Sequence, residues 1–363
     1  MRRSLIAAVL ALLLCIPAAG TNSPAISAAA AVLTDGSGDV LFCRGGTSRM
    51  QPASMTKIMT AYIVIKTCAA DSVVEIKSSC TGTEGSSAYL CAGEKFTVEE
   101  LLYALLLQSA NDAALALADF ASGSVPSFVS EMNRVASELG LHGTHFENPH
   151  GLPSDGHFST PCDIAALLCE CMKDPVFRRI SGTKEYVIKQ SAEHKARHFV
   201  NHNKLLFTYD GVCGGKTGYT VSSGRCLCSY YEKDGIVLCA VTMNAPRDWS
   251  DHMRLYEYGA SLYEKVTLPC AGSYKTHVVG GIDDTAVCTI GDDVCLTVRK
   301  NSGEIKKTVC MRRFEYAPVA SGELLGCLVF SQGDKIVYTE DLYADNKTEA
   351  KKDSFKDLIK WKR

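Results

Sequence analysis

The first informative stretch reads PASMTKIMT, residues 52–60, and it opens an apolar run with the spacing of a helix. Ser54 and Lys57 are three residues apart in it, so on a helix both side chains lie on one face. A serine hydroxyl is a poor nucleophile until a neighbouring base removes its proton. Lysine can be that base once burial, a helix dipole or a second cation lowers its pKa. The spacing therefore predicts an activated serine at Ser54.

Two further tripeptides raise the value of this signal, because Ser-x-x-Lys alone is common on solvated helices. Ser109-Ala110-Asn111 follows an apolar helix pattern, and Lys216-Thr217-Gly218 precedes an alternating, strand-like run. Motifs of these three types in this order are the signature of class A β-lactamases and penicillin-binding proteins. Their joint presence argues against a chance match at Ser54.

Composition indicates an ordinary globular protein of about two domains, with 363 residues, of which 46% are hydrophobic and 21% charged. The formal net charge of -2 provides no general basic surface. We therefore expect no nucleic acid partner.

The N-terminus predicts export. Residues 1–20 hold two arginines, an apolar run and the small residues Ala18-Ala19-Gly20, as in a secretory signal peptide. The run is too short to be a good membrane span. Cys15 follows Leu14 rather than a small residue, which disfavours a lipoprotein anchor. We expect the mature protein at the extracytoplasmic face of the cell membrane or in the cell envelope.

The 17 cysteines show no regular spacing and no Cys-x-x-Cys pair. Several of them, such as Cys169 and Cys239, stand where a helix or strand would carry a small apolar residue. Free cysteine packs as a small hydrophobe. We predict that most are unpaired thiols.

The periodicity predicts helices and strands mixed in the first two thirds of the chain and strands alone after about residue 266. A hairpin is predicted around residues 35–38, and Thr97 and Glu100 form a capping box for a helix over 101–107. Further helices are predicted over 126–139, 161–172 and 249–264, and strands over 186–189, 225–231, 236–243, 275–279, 294–298, 306–311, 324–330 and 335–338. Residues 148–153 have no period and are predicted to be a loop.

In these motifs the chain resembles the D-alanyl-D-alanine carboxypeptidases of the low-molecular-weight penicillin-binding protein family. Residues 85–87, 148–152 and 214–220 match the family pattern, and the β-rich end matches its second domain. The resemblance implies an α+β fold. It places a β-lactamase/transpeptidase-like domain, an antiparallel sheet with a helical cluster, at 24–266. A small all-β domain at 267–343 and a basic amphipathic tail at 344–363 follow.

The resemblance also implies roles for the motif residues. Ser54 would attack the carbonyl between the two terminal D-alanines of a peptidoglycan pentapeptide stem and form an acyl-enzyme that water hydrolyses. Lys57 would take its proton. Ser109 would relay a proton to the leaving amine, and Asn111 would bond Lys57 and the substrate amide.

The third motif is implied to bind the substrate. Lys216 and Thr217 would hold the terminal carboxylate, and Gly218 would let the substrate lie close to the strand. The backbone N–H groups of Ser54 and Tyr219 would form the oxyanion hole. β-Lactam antibiotics would be covalent inhibitors.

The histidines invite a metal site, because His194, His198 and His202 recur every four residues. The surrounding sequence resembles the family's non-helical approach to the Lys-Thr-Gly strand, and no His-Glu-x-x-His occurs. We expect no metal and no cofactor, and we interpret His150 as a residue that braces its loop.

Two other functions share the motifs. A class A-like β-lactamase would need a glutamate-activated water, for which no convincing loop is visible. A non-catalytic peptidoglycan- or β-lactam-binding protein would not require the complete set of polar residues.

The tail is a separate feature. If it is helical, Phe355, Leu358, Ile359 and Trp361 share one face, which predicts peripheral membrane contact.

Overall fold

The computed structural model describes residues 23–351. The chain divides into two compact units, the first ending at Ser261 and the second beginning at Leu262. The predicted signal segment, residues 1–20, lies outside the described residues, as do residues 352–363 of the predicted tail. Within 23–351 no single helix is long and apolar enough to cross a membrane. Asn111–Ser122 and Val125–Glu138, bent by 84° at their junction, reach that length and hydropathy only together.

An antiparallel sheet forms the centre of the first unit. The strands described in this unit are β1 Ala30–Asp35, β2 Val40–Arg44, β3 Val73–Glu75, β4 Lys95–Thr97, β5 Glu185–Ile188, β6 Arg197–Val200, β7 Val212–Thr220, β8 Gly224–Lys233 and β9 Ile236–Met243. Five of them make the sheet, in the order β2-β1-β9-β8-β7. The predicted hairpin is confirmed as β1 and β2. The third motif lies on β7, at one edge of this sheet.

Helices pack with the sheet and with one another in the first unit. Those described are α1 Lys57–Thr67, α2 Val98–Leu106, α3 Asn111–Ser122, α4 Val125–Glu138, α5 Pro161–Cys171, α6 Pro175–Gly182, α7 Leu205–Thr208 and α8 Asp248–Ser261. The capping box is confirmed, since the Thr97 side chain accepts from the Glu100 N–H while the Glu100 side chain accepts from that of Thr97. Thr160 caps α5 with proline at its first position, as predicted.

Helix α1 is held in the core of this unit, which fixes the residues just before it. Met55, Ile58 and Met59 are fully buried in a cluster that includes side chains of α2 and α3. Burying such side chains stabilises the fold by roughly 1.5–3 kcal/mol each. The position of Ser54 is thus determined by the packing of its neighbours.

One prediction of local structure is wrong in detail. The helix predicted over 249–264 ends at Ser261, because Tyr263–Leu268 pairs as a strand with Val294–Arg299. The Lys-Thr-Gly motif precedes the predicted strand at 225–231, which is confirmed within β8, and the motif itself lies on β7, which pairs with β8. In both places the pairing of strands determines the structure.

The second unit consists of strands in its described part. They are β10 Tyr263–Leu268, β11 Gly272–Val279, β12 Thr285–Ile290, β13 Val294–Arg299, β14 Ile305–Met311, β15 Phe314–Tyr316, β16 Leu324–Gln332 and β17 Lys335–Tyr343. Its core is a cluster that includes Leu325, Leu328 and Phe330. The α+β class is therefore confirmed, with a β-rich C-terminal region.

The described cysteines are dispersed through both units. Seven of them are buried, namely Cys80, Cys171, Cys226, Cys228, Cys239, Cys270 and Cys288, and none of the sixteen in residues 23–351 is joined in a disulfide. Cys171 and Cys228 have no exposed surface and pack in the core of the first unit. Their surroundings suit small apolar side chains, and the thiol count itself stays a prediction.

Candidate active site

A short 3₁₀ turn at Ala53–Thr56 presents Ser54 in front of α1. Ala53 has φ of 48°, a left-handed conformation that a residue with a side chain rarely adopts. The turn is held by a hydrogen bond from Thr56 Oγ1 to the Ala53 carbonyl at 2.8 Å. Gly151 lies against this carbonyl so closely that a Cβ there would be 1.9 Å from the oxygen. The loop around Gly151 and the Ser54 turn therefore fit only without a side chain at this position.

Lys57 is fully buried beneath Ser54 and uses its amine in three contacts. Its Nζ lies 3.1 Å from Ser54 Oγ, 2.6 Å from Asn111 Oδ1 and 2.6 Å from the His150 carbonyl oxygen. Burial first, and then the charge of Lys216, hold the pKa of Lys57 well below its usual value, while Asp112 opposes the shift. A buried amine of lowered pKa in contact with a serine hydroxyl is the arrangement of a general base and its nucleophile.

Ser109 lies in the turn between α2 and α3, and Asn111 is the first residue of α3. Ser109 has φ of 61° and is buried, and its Oγ has no hydrogen-bond partner among the described residues. Asn111 donates from Nδ2 to the Glu84 carbonyl at 2.6 Å while its Oδ1 accepts from Lys57. These bonds orient the Asn111 amide with its oxygen toward the amine.

Asp112 anchors the loop that passes in front of this turn. Its carboxylate accepts from Ser87 Oγ at 2.6 Å and from the N–H groups of Ala88 and Leu90 at 3.0 Å. The same loop brings the Ser86 carbonyl to the Asn111 N–H at 2.7 Å. The buried aspartate thus connects the second motif to the wall of the cleft.

Lys216 is buried on β7, and its Nζ donates to the Thr217 carbonyl at 2.9 Å. Burial lowers the pKa of Lys216 to about 7, against a smaller opposing effect of Cys228 on the adjacent strand. Gly218 follows, and a Cβ there would lie 3.1 Å from both the Pro52 carbonyl oxygen and the Ser54 nitrogen. A side chain at this position would crowd the backbone of the Ser54 turn.

Two clefts meet at Ser54. The larger, of about 780 Å³, is lined by Ser54, Ser109, His202, Thr217, Gly218 and Tyr219 among others. The smaller, of about 400 Å³, is lined by Ser54, Gly85, Asn111, His150 and Tyr219 among others. A peptide that crosses Ser54 can therefore place one part on each side of the hydroxyl.

The structure brings all eight predicted site residues into one region. Ser54, Ser109, Asn111, Thr217, Gly218 and Tyr219 line the clefts, while Lys57 and Lys216 lie buried. Sequence reasoning missed the carbonyl oxygens of Glu84 and His150, which orient Asn111 and Lys57. Backbone atoms leave no residue-type signal.

The histidines are separated in the structure. His194 stacks on Phe96 with ring centroids 4.5 Å apart, and His198 lies 3.1 Å from the Glu185 carboxylate. His202 lines the larger cleft, where burial and the charge of Lys216 lower its pKa. Over residues 23–351, no group of three or more His, Cys, Asp or Glu side chains is arranged to hold a metal ion.

His150 contributes to its loop as expected. Its Nδ1 accepts from the Leu152 N–H at 3.1 Å, and burial lowers the pKa of the ring to about 3. In addition, its backbone carbonyl oxygen accepts a hydrogen bond from the Lys57 amine. Bracing this loop therefore also positions the proposed base.

Comparison with known proteins gives consistent matches. A profile of the family described as D-alanyl-D-alanine carboxypeptidase matches residues 18–247. The D-alanyl-D-alanine carboxypeptidase DacF of Bacillus subtilis is 31% identical over 353 residues, or 94% of this chain and 90% of that protein. The D-alanyl-D-alanine carboxypeptidase DacC of Escherichia coli is 30% identical over 337 residues, or 87% and 83%. The crystal structure of penicillin binding protein 5 from Haemophilus influenzae matches with a TM-score of 0.65 at 26% identity, covering 91% of this chain and 100% of that one.

Proposed function

The chain belongs to the D-alanyl-D-alanine carboxypeptidase family, serine hydrolases of the cell wall, and on this premise we propose that Ser54 is the nucleophile that removes the terminal D-alanine from peptidoglycan pentapeptide stems. The observation that carries the assignment is the buried Lys57 amine, 3.1 Å from Ser54 Oγ. Relatives named as carboxypeptidases, together with these contacts, favour this function over a β-lactamase or a binding protein without turnover.

Acylation begins with Lys57 in its neutral form. Ser54 Oγ attacks the carbonyl carbon of the penultimate D-alanine as its proton passes to Lys57 Nζ. The contacts of Nζ to Asn111 and to the His150 carbonyl leave the amine fixed toward Ser54, so little reorganisation is required. Low pKa and fixed geometry together make Lys57 an effective base.

Collapse of the tetrahedral intermediate requires a proton on the leaving nitrogen. Ser109 Oγ is buried, lines the cleft and has no partner in the described part of the chain, so it is free to hand a proton from Lys57 to the D-alanine amine. The C–N bond then breaks and the Ser54 ester remains. Water attacks the ester with Lys57 again as the base, which releases the shortened stem and restores Ser54.

The terminal carboxylate of the substrate binds near Lys216 and Thr217. A buried lysine with a pKa of about 7 is only partly charged in the empty cleft. An approaching carboxylate favours the ammonium form of Lys216. That charge in turn holds the pKa of Lys57 down, so substrate binding assists activation of the base.

The backbone N–H groups of Ser54 and Tyr219 form the oxyanion hole in this proposal. Removing one such donor typically costs ~10²–10³ in rate. Gly218 keeps the β7 backbone near the Ser54 turn, which supports the assignment of the two N–H groups to one oxygen. β-Lactams acylate the same Ser54.

The enzyme acts outside the cytoplasm after export directed by residues 1–20, and its C-terminal end contacts the membrane. Residues 347–363 carry seven basic and three acidic side chains. Residues 347–351 belong to the second unit, where Thr348 exchanges two backbone hydrogen bonds of 2.9 Å with Val319. Each basic residue near an anionic surface adds about 1 kcal/mol of electrostatic binding free energy. Because this attraction is weak and is screened by salt, the membrane contact is reversible and salt-sensitive.

Vesicle sedimentation tests the membrane contact. The mature chain should sediment with anionic vesicles at low salt, and a chain ending at Lys351 should not. The shorter chain keeps the Thr348 and Lys351 backbone bonds to the second unit, so its loss of binding reports on residues 352–363. Equal sedimentation of the two proteins would contradict the proposal.

Release of D-alanine from a pentapeptide tests the enzymatic proposal. The wild-type protein should release D-alanine, and Ser54→Ala should abolish the release while melting within a few degrees of the wild type. Release by Ser54→Ala at a wild-type rate would show that the nucleophile is another residue.

A further inference from the structure

One pair of thiols in the second unit faces each other across two neighbouring strands. Cys310 of β14 lies opposite Cys327 of β16 in the antiparallel pairing of these strands. Among the strand pairings described over residues 23–351, no other places one cysteine opposite another. The two side chains meet on the same face of the sheet, and their thiols are in hydrogen-bond contact.

This pair lies outside the core of its unit. Leu328 of β16 is buried in that core, so Cys327, one position away on the same strand, points to the opposite face. Cys327 is half-buried and Cys310 is exposed, whereas Cys270 and Cys288 belong to the core. Packing as a small hydrophobe therefore accounts for the core cysteines and leaves this pair unexplained.

The spacing of the two backbones suits a disulfide. Opposite residues of an antiparallel pair have Cα atoms about 4.5 or 5.5 Å apart, and disulfides join residues whose Cα atoms are about 4.4–6.8 Å apart. Rotation of the two side chains is therefore enough to bring the sulfurs together. Because β14 is an edge strand in the order β14-β16-β17, a reagent can reach the exposed Cys310 thiol from solvent.

We propose that Cys310 and Cys327 are a site of oxidative modification, at which thiol–disulfide exchange with a small-molecule disulfide joins β14 to β16. The inference concerns the second unit and does not depend on the role of Ser54. The new bond closes a loop over residues 311–326, which include β15 and hence the pairing of β15 with β11. Closing this loop restricts the unfolded chain, so the oxidised unit resists unfolding more strongly than the reduced one.

The exchange takes two steps, written here with glutathione disulfide as the oxidant. The Cys310 thiolate attacks one sulfur of glutathione disulfide, forms a mixed disulfide and releases one glutathione thiolate. The Cys327 thiolate then attacks the Cys310 sulfur and releases the second glutathione thiolate. The two protein thiols lose two electrons and two protons, and glutathione disulfide gains them as two thiols. Cys310 reacts first because it is exposed, whereas burial, with the charges of Cys310 and Asp341, raises the pKa of the Cys327 thiol.

Oxidation of the folded protein tests the site. The protein is reduced, freed of reductant and exposed to glutathione disulfide, after which the remaining thiols are alkylated in denaturant and the chain is digested with trypsin. Arg312 and Arg313 lie between the two cysteines, so cleavage places the cysteines on different peptides and the disulfide gives one linked mass. The test variant is Cys310→Ser. The matched control is Cys295→Ser, which removes another exposed thiol of this unit, one that lies opposite Thr267.

The wild type and Cys295→Ser should give the linked peptides as their main disulfide, and Cys310→Ser should not give them. After oxidation the backbone amides of β14 should exchange with deuterium about tenfold more slowly, and a reductant should reverse this change. Recovery of both cysteines as free thiols or as separate glutathione adducts would overturn the inference, as would an equal amount of a link from Cys310 to Cys295. Release of D-alanine is measured on the reduced protein, so a failure of the proposed function is recorded separately.

Discussion

Gly151→Ala is expected to disable the enzyme by moving its nucleophile, although Gly151 contributes no side chain to the site. The added Cβ would lie 1.9 Å from the Ala53 carbonyl oxygen, and real Cβ contacts below 3.0 Å are essentially absent. Either the Ser54 turn or the loop carrying His150 must therefore shift by about 1 Å. A misplacement of this size costs ~10²-fold in rate, or about 2.7 kcal/mol of transition-state stabilisation.

The same substitution also strains the backbone, and a matched control separates the two effects. Gly151 and Gly38 both have φ of +90°, but a Cβ on Gly38 meets nothing within 4 Å. A non-glycine residue in this region costs ~1–3 kcal/mol. Both substitutions should therefore lower the melting temperature, Gly151→Ala by more because of its clash, while per folded molecule only Gly151→Ala loses D-alanine release by about a hundredfold. Activity of Gly151→Ala within threefold of Gly38→Ala would refute the reasoning.

Three further results are expected. Lys57→Ala should lose nearly as much kcat as Ser54→Ala, and the Ser54→Ala/Lys57→Ala double variant should lose little more, because nucleophile and base act as a unit. A loss in the double variant equal to the sum of the two single losses would contradict this. The folded-state pKa of Lys216, about 7, is below its ordinary 10.5, so the unfolded chain binds more protons between these values and stability rises with pH. The difference in melting temperature, wild type minus Lys216→Met, should therefore increase from pH 7 to pH 10. A difference that stays constant over this range would contradict the prediction. Thiol titration of the denatured, unreduced protein should find most cysteines free, and three or more disulfides would overturn that prediction.

Local signals in the sequence identified much of the first unit. The capping box of Thr97 and Glu100 involves residues three apart, and it forms as the pattern predicts. The hairpin of β1 and β2 is likewise set by its own turn. Ser54 and Lys57 could be paired because helical spacing alone brings them onto one face. Where the information lies within a few residues, the sequence suffices.

Other features depend on partners distant in the chain. Tyr263–Leu268 forms a strand because Val294–Arg299 pairs with it, against a helical pattern that continues from α8. The Lys57 amine is oriented by the His150 carbonyl, 93 positions away in sequence, and a backbone oxygen carries no residue-type signature. The burial that lowers the pKa of Lys216 likewise arises from tertiary packing. The motifs named residues that the fold brings together, and the fold determines the contacts of these residues and lowers the pKa of Lys57 and Lys216.

The most direct test of the account is the mass of the purified protein after treatment with penicillin, followed by peptide mapping. We predict one covalent adduct per chain, on the peptide that contains Ser54, and none on Ser54→Ala. An unmodified mass for the folded wild-type protein, or an adduct that maps to another residue, would contradict the assignment of Ser54 as the nucleophile.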